Sequence, residues 1–293
     1  MKTIIACTDF SPDATNATQY AAALASAAKA KLVLFSYFDY PVATTDFPEI
    51  YPATFGEEME ADFERTLQEI KVGLARRYPI EIDCVVRSYS LHSDLEELFH
   101  AEQADLVVMG IAGQNMLLNA LAGNVTTAAI RHGKLPLLVV PRGVVFHPVQ
   151  KILFSCDDYS IPNPDTLRIL RDLAITFDAY IEVSNFFDLE KMQAAAPQGV
   201  RPDAKINLEA LLADTRHGFS YHNKDVVDKG IVYEAVRSSA DLVAMISHRH
   251  SFWSTLLNQS DTQRIATTIS LPLLVLGEKV QQRVDAVEME ESL

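Results

Sequence analysis

Ala104-Asp105-Leu106-Val107-Val108-Met109 recurs as Ala240-Asp241-Leu242-Val243-Ala244-Met245, and Leu135-Pro136-Leu137-Leu138-Val139 recurs as Leu271-Pro272-Leu273-Leu274-Val275. Both pairs share one offset, so the segments between them align without a gap. The chain has 293 residues, about twice the usual domain length, which fits a tandem duplication. Between the repeated ends the first copy carries Gly110, Gly113 and Gly123, where the second has Ile246, Arg249 and Gln259. A preserved scaffold therefore carries one altered loop.

On either side of these repeats, the first half alternates strand and helix. Thr3 to Thr8 reads as a strand, and Ser11-Pro12-Asp13 as a helix start with Ser at the N-cap and Pro at the first helical position. A helix to Ala30, a strand from Leu32 to Phe38 and a proline-containing loop from Tyr40 to Phe55 follow. Next come a helix over about Glu57 to Arg77, a strand from Ile80 to Val86 and a helix from Asp94 to Ala101. Asp105 to Met109 has the unbroken Val and Leu of a buried parallel strand. The glycine loop, a helix around Thr126 to Arg131 and a strand from Leu137 to Val140 close the unit. In the second half, Lys151 to Asp158 echoes Lys2 to Asp9, and Tyr180 to Phe186 echoes the second strand. The expected fold is α/β: two tandem doubly wound domains, each a five-stranded parallel sheet flanked by helices. Their expected bounds are 1–143 and 150–278, joined by Pro141 to Gln150, with an acidic tail over 279–293.

Composition narrows the function. Apolar residues make up 48% and charged residues 22%, as in ordinary globular proteins. Each half is long enough for a core of its own. The N-terminus is apolar too briefly for a signal peptide, and no run suits a membrane helix. Cys7, Cys84 and Cys156 lie in apolar, strand-like runs and read as buried reduced thiols, so a cytoplasmic location is expected. A net charge of −14 opposes nucleic-acid and anionic-membrane partners. It leaves room for one small anion, because backbone amides can hold a phosphate without lysine.

The chemistry lies where strands of an open sheet end. Asp9 ends the first strand. Met109-Gly110 ends the fourth and opens Gly110-x2-Gly113-x9-Gly123-Asn124, with Val125 and Thr126 in the first turn of the next helix. Glycines allow the backbone to approach a phosphate, and a helix start offers free amides to it. An acid at the first strand's end can accept hydrogen bonds from a ribose or base. The order of parts suggests a nucleotide lying across the strand ends.

This spacing, the early strand ending in Asp and the closing Leu-Pro-Leu-Leu-Val-Val-Pro resemble the universal stress protein family, over nearly the whole chain as two tandem domains. The resemblance implies a five-stranded α/β domain, dimer pairing through the last strand, and ATP or AMP binding in a subset of members. It places Asp9 near the adenosine and Tyr37 beside the base. Met109, Gly110, Gly113, Gly123, Asn124, Val125 and Thr126 would then line the phosphates. Asn124 stands where the family has Ser or Thr; its amide can still donate to a phosphate oxygen but is bulkier.

The second half keeps Asp158 beside Asp157 but carries His248-Arg249-His250-Ser251-Phe252-Trp253 in place of the glycines, so no family-type nucleotide is expected there. His248 and His250, with His217 or His222, lack the ligand spacing of a metal site, and a solvated loop is the better reading. No metal is expected beyond a Mg2+ accompanying the nucleotide. Trp253 reads as packing or interface, and His132 as a cation at a helix end. There is no GxSxG elbow and no GxxxxGK loop, so no catalytic residues are assigned. The expected function is a cytoplasmic stress or adaptation factor binding an adenine nucleotide in its first half as a signal. The last strands are expected to pair as an internal pseudo-dimer, and two chains to associate. The alternative is a protein-interaction module whose glycine loop is a relic and whose 248–253 segment meets a partner.

Overall fold

A computed structural model describes residues 1–38, 55–88, 91–111, 126, 129–130, 133–156, 163–187, 208–223, 233–246 and 271–277. Gly113, Gly123, Asn124, Val125, His132, Asp157, Asp158, the 248–253 segment and the 279–293 tail lie outside the described residues.

The first half runs β1 (Thr3–Cys7), α1 (Pro12–Ala28), β2 (Lys31–Phe38), α2 (Phe55–Ala75), β3 (Ile82–Ser88), α3 (Leu91–Ala101), β4 (Leu106–Ile111) and β5 (Leu137–Pro141). The second runs β6 (Lys151–Cys156), a 3₁₀ turn (Pro164–Leu167), α4 (Arg168–Phe177), β7 (Tyr180–Phe187), β8 (Arg216–Asn223), β9 (Leu242–Ile246) and β10 (Leu273–Leu276). The described strands form one sheet in the order β3-β2-β1-β4-β5-β10-β9-β6-β7-β8. Each half contributes parallel strands in the same internal order, and β5 meets β10 antiparallel. In that pairing Leu138 faces Leu274, its own counterpart in the repeat, so the two copies are related about this point.

The helix ends carry matching geometry in the two halves. Ser11 Oγ accepts the Ala14 amide at 3.2 Å, and Pro12 opens α1. Lys29 ends α1 at φ 55°, donating its N–H to Ala25 and Ser26. Asp178 ends α4 in the same left-handed conformation at φ 51°. Gln103 and Ser239, another pair matched by the repeat, share it at φ 48° and 53°. Left-handed backbone is uncommon in residues with a Cβ, so its presence at matched positions marks a geometry common to both copies.

The repeated Ala-Asp pair has a structural role. The sequence reading begins the fourth strand at Asp105, but β4 starts at Leu106. Asp105 instead accepts the amides of Lys2 and Thr3, which brings β1 alongside β4. Its counterpart Asp241 accepts those of Gln150 and Lys151, at 2.8 and 2.9 Å. Asp105 is also 4% exposed and receives Arg168 Nη1 from the second half at 2.6 Å. Burial raises its pKa, but the two amides and the guanidinium outweigh this and hold it below the ordinary carboxylate value.

Alternation along the strands sorts side chains into two apolar layers. Ile4, Leu34, Val108, Leu138, Phe154 and Leu274 lie with α1, α2 and α4; Ile5, Phe35, Val107, Val139 and Val275 lie with α3 on the opposite face. Both layers run through both halves. Phe146 of the connecting segment packs edge-on to Tyr20 of α1 at 5.3 Å and near Phe177 of α4 at 5.9 Å, filling the junction. Cys7 and Cys84 are free, and burial pushes both thiols above their ordinary pKa. Among the described residues, no helix is long and apolar enough to cross a membrane.

Candidate nucleotide site at the strand ends

β1 pairs with β2 on one side and β4 on the other. Ala6 is level with Val108, so the chain beyond β1 emerges beside Gly110. From there α1 covers one face of the sheet, while Ile130, beyond the glycine loop, packs in the opposite layer. Connections that diverge in this way open a crevice at the carboxyl ends of adjacent strands.

The turn from β1 into α1 fixes Asp9. Thr8 donates its amide to Phe35 O at 2.8 Å, and its own carbonyl accepts the Ser36 hydroxyl at 2.7 Å. Phe10 then adopts φ 65°, donating its N–H to Thr8 Oγ1 at 3.0 Å. An aromatic residue in the left-handed region is strained and must be held by its surroundings. Here its ring meets Phe63 of α2 edge-on at 5.1 Å, and Phe63 meets Phe38 at 5.3 Å. The result is an exposed Asp9 whose Oδ1 accepts the Ser11 amide at 3.0 Å. Its second oxygen makes no hydrogen bond among the described residues, and is available to a ligand donor.

Gly110 has a reason for being glycine that periodicity and spacing do not show. A Cβ there would lie 2.5 Å from the Asp13 carbonyl carbon and 2.9 Å from the Ala14 nitrogen, and closer still to the Asp13 oxygen. The first turn of α1 thus packs directly on the backbone of β4. Thr126 is buried and donates its hydroxyl to Gly110 O at 2.9 Å, tying the following helix to the strand end. The mouth beside it is held by an Asp13–Arg142 ion pair, and by Asn16 Nδ2 donating to Pro141 O and Val144 O, both at 3.2 Å. Met109 sends its side chain into the core near Leu95 and Leu137, leaving only its backbone for a ligand. Tyr37 is half-buried, next to last in β2 and level with Arg87.

In the second half Ile246 occupies the Gly110 position and is buried. Counting back from the matched caps Lys29 and Asp178, Pro164 corresponds to Thr15. The described helical turn there, capped by Asn163, therefore starts later than α1, which opens at Pro12. His217, weighed as a metal ligand, has Nδ1 3.1 Å from Thr215 O and packs edge-on to Phe219. Among the described residues no three His, Cys, Asp or Glu side chains are grouped to hold a metal.

Neither Phe10 nor the Asp13–Arg142 pair is foreseen by the sequence reading. Only the Asp9-Phe10-Ser11-Pro12 order hints at a forced turn, because Pro12 at the first helical position leaves the chain little length in which to leave the strand.

The fold is that of a doubly wound α/β protein with its crevice between β1 and β4. Residues 1–141 match the model of the universal stress protein family, so this segment carries a domain of that family. Across the whole length it is similar to a universal stress protein from Archaeoglobus fulgidus: 14% identity, 94% of this chain and 98% of that one, TM-score 0.67. A functionally unknown protein from Pseudomonas aeruginosa PAO1 matches at 16% identity over 94% of this chain and 92% of its own, TM-score 0.51. A universal stress protein family protein from Arabidopsis thaliana with AMP bound matches 49% of this chain and 93% of its own at 12% identity and TM-score 0.33, a likeness too slight to carry its ligand over. No curated protein matches the chain.

Proposed function

We propose that this protein binds one adenine nucleotide, ATP or AMP, at the β1–β4 crevice of its first half and uses it as a signal in a stress or adaptation response in the cytoplasm. The observation that carries the reading is the exposed Asp9 carboxylate, with one oxygen unengaged among the described residues, beside the Gly110 strand end. Asp9 accepts from the ribose or base. Tyr37 flanks the base, and the backbone from Gly110 through Gly113, Gly123, Asn124, Val125 and Thr126 surrounds the phosphates. The second half, with Ile246 for Gly110, acts as an internal partner over residues 150–278. The antiparallel β5–β10 register supports this pseudo-dimer, in which each half covers the other's last strand. Two such chains then associate.

One finding favours the alternative of a protein-interaction module. Gly110 is fully accounted for by the packing of α1, so it would be retained without any ligand. Calorimetric titration with ATP and AMP separates the two. The nucleotide reading expects saturable binding that Asp9→Ala weakens by roughly tenfold or more, the value of a charge-assisted hydrogen bond. Unchanged affinity in Asp9→Ala and in Gly123→Val would remove it.

A further inference from the structure

Away from the strand ends, α1 and α2 do not close on each other along the outer face of the sheet. Between them lies an open groove of about 290 Å³, close to the lower bound for small-molecule sites. Its floor is Thr18, 3% exposed, whose Oγ1 has no hydrogen-bond partner among the described residues. That oxygen has essentially no accessible surface of its own, so a molecule lying in the groove meets the rest of the Thr18 side chain and not the hydroxyl.

The remaining wall is apolar on one side and cationic at one end. Ile70, Gly73 and Leu74 come from one stripe of α2, and Arg77 follows just past its end, its amide bound to Leu74 O at 2.9 Å. The Arg77 guanidinium has no ion pair among the described residues, although the chain carries 39 acids against 25 Lys and Arg. No acid among the described residues lines the groove. Gly73 widens it, since a Cβ at that position meets nothing within 4 Å. Glycine inside an exposed helix costs about 1 kcal/mol against alanine, so its presence there is not a folding preference. The described residues of the second half offer no equivalent: counting back from the matched helix caps, fully buried Leu167 replaces Thr18.

We propose that this groove is a second ligand site, for a small organic carboxylate whose head pairs with Arg77 and whose apolar body lies along the Ile70–Leu74 stripe of α2. A guanidinium fork matches a carboxylate in two parallel hydrogen bonds. Ile70 and Leu74 cover the body. The site lies along the middle of α1 and shares no residue with the strand-end crevice, so it stands whether or not a nucleotide binds there.

The test is amide-resolved NMR titration of the full chain with 4-hydroxybenzoate and hexanoate as carboxylate probes and 4-hydroxybenzamide as the neutral control. The expected result is saturable shifts confined to Thr15–Gln19 and Ile70–Arg77. Affinity should fall roughly tenfold or more for the amide and for Arg77→Gln. Asp9→Ala should change the affinity of neither carboxylate. Gly73→Leu should block both carboxylates while the melting temperature is kept. Arg77 is exposed, so its variant tests the site even if Gly73→Leu misfolds. Absence of groove shifts with both carboxylates, or equal affinity in Arg77→Gln, would overturn the proposal.

Discussion

Replacing Gly110 with alanine separates the two reasons a glycine can stand at the end of β4. If it served only to admit a phosphate, the free protein would tolerate a methyl group. The structure instead puts that methyl against the backbone of Asp13 and Ala14, at 2.5 Å from the Asp13 carbonyl carbon and 2.9 Å from the Ala14 nitrogen. Ordinary contact needs about 3.5 Å, so the first turn of α1 must withdraw by roughly 1 Å. That turn has little freedom. Its start is capped by Ser11, its Asp13 is paired with Arg142, and Asn16 is tied to Pro141 and Val144. Overpacking against such a backbone costs about 1–3 kcal/mol. Urea denaturation of wild type and Gly110→Ala without nucleotide should show the midpoint falling at unchanged slope. A change within about 0.5 kcal/mol, the range of neutral substitutions, would refute the packing argument and return the glycine to the ligand.

Other parts of the molecule give three more expected outcomes. Asp105→Asn should lower stability at neutral pH by about 2 kcal/mol, because it weakens a buried anchor for Lys2, Thr3 and Arg168. The Asp105 pKa is depressed in the fold, so its contribution is complete above the ordinary value of 3.8 and is lost as pH falls through the folded value. The difference between variant and wild type should therefore shrink in denaturation curves measured below pH 3.8; a constant difference would contradict the assignment. Gly73→Ala should raise stability by about 0.5–1 kcal/mol, read as a higher urea midpoint, since the new methyl meets open space in a helix. Burial pushes the Cys7 thiol far up, so native protein at about pH 8 should react with iodoacetamide at Cys7 much more slowly than unfolded chain, which peptide mapping would show.

Much of the architecture was legible because it depends on patterns that physics forces into sequence. The Val and Leu runs of β4 and β5, and their recurrence at one offset in β9 and β10, express burial on both faces of a sheet. Ser11-Pro12 marked the start of α1 because few residues can cap a helix and open it. Boundaries were less legible. Asp105 reads as the first residue of a strand, yet its carboxylate holds the start of the neighbouring strand, a contact made 103 positions away. Long-range packing left no local trace either: the Gly110–Asp13 contact, the Phe10–Phe63–Phe38 cluster and the continuation of each apolar layer across the two halves all join residues distant in the chain. The loss of glycine at Ile246 was plain in the sequence. The later start of the described helical turn, at Pro164, was hidden because Pro and Asn also occur in ordinary loops.

One nucleotide in the first half and none in the second is the central expectation. Protein purified without added nucleotide would be denatured and its supernatant analysed by mass spectrometry, with calorimetric titration by ATP and AMP to fix the stoichiometry. Adenine nucleotide should be released, or should titrate, at close to one per chain. Close to two per chain would contradict the exclusion of a ligand beside Ile246, and none, in either experiment, would contradict the nucleotide reading itself.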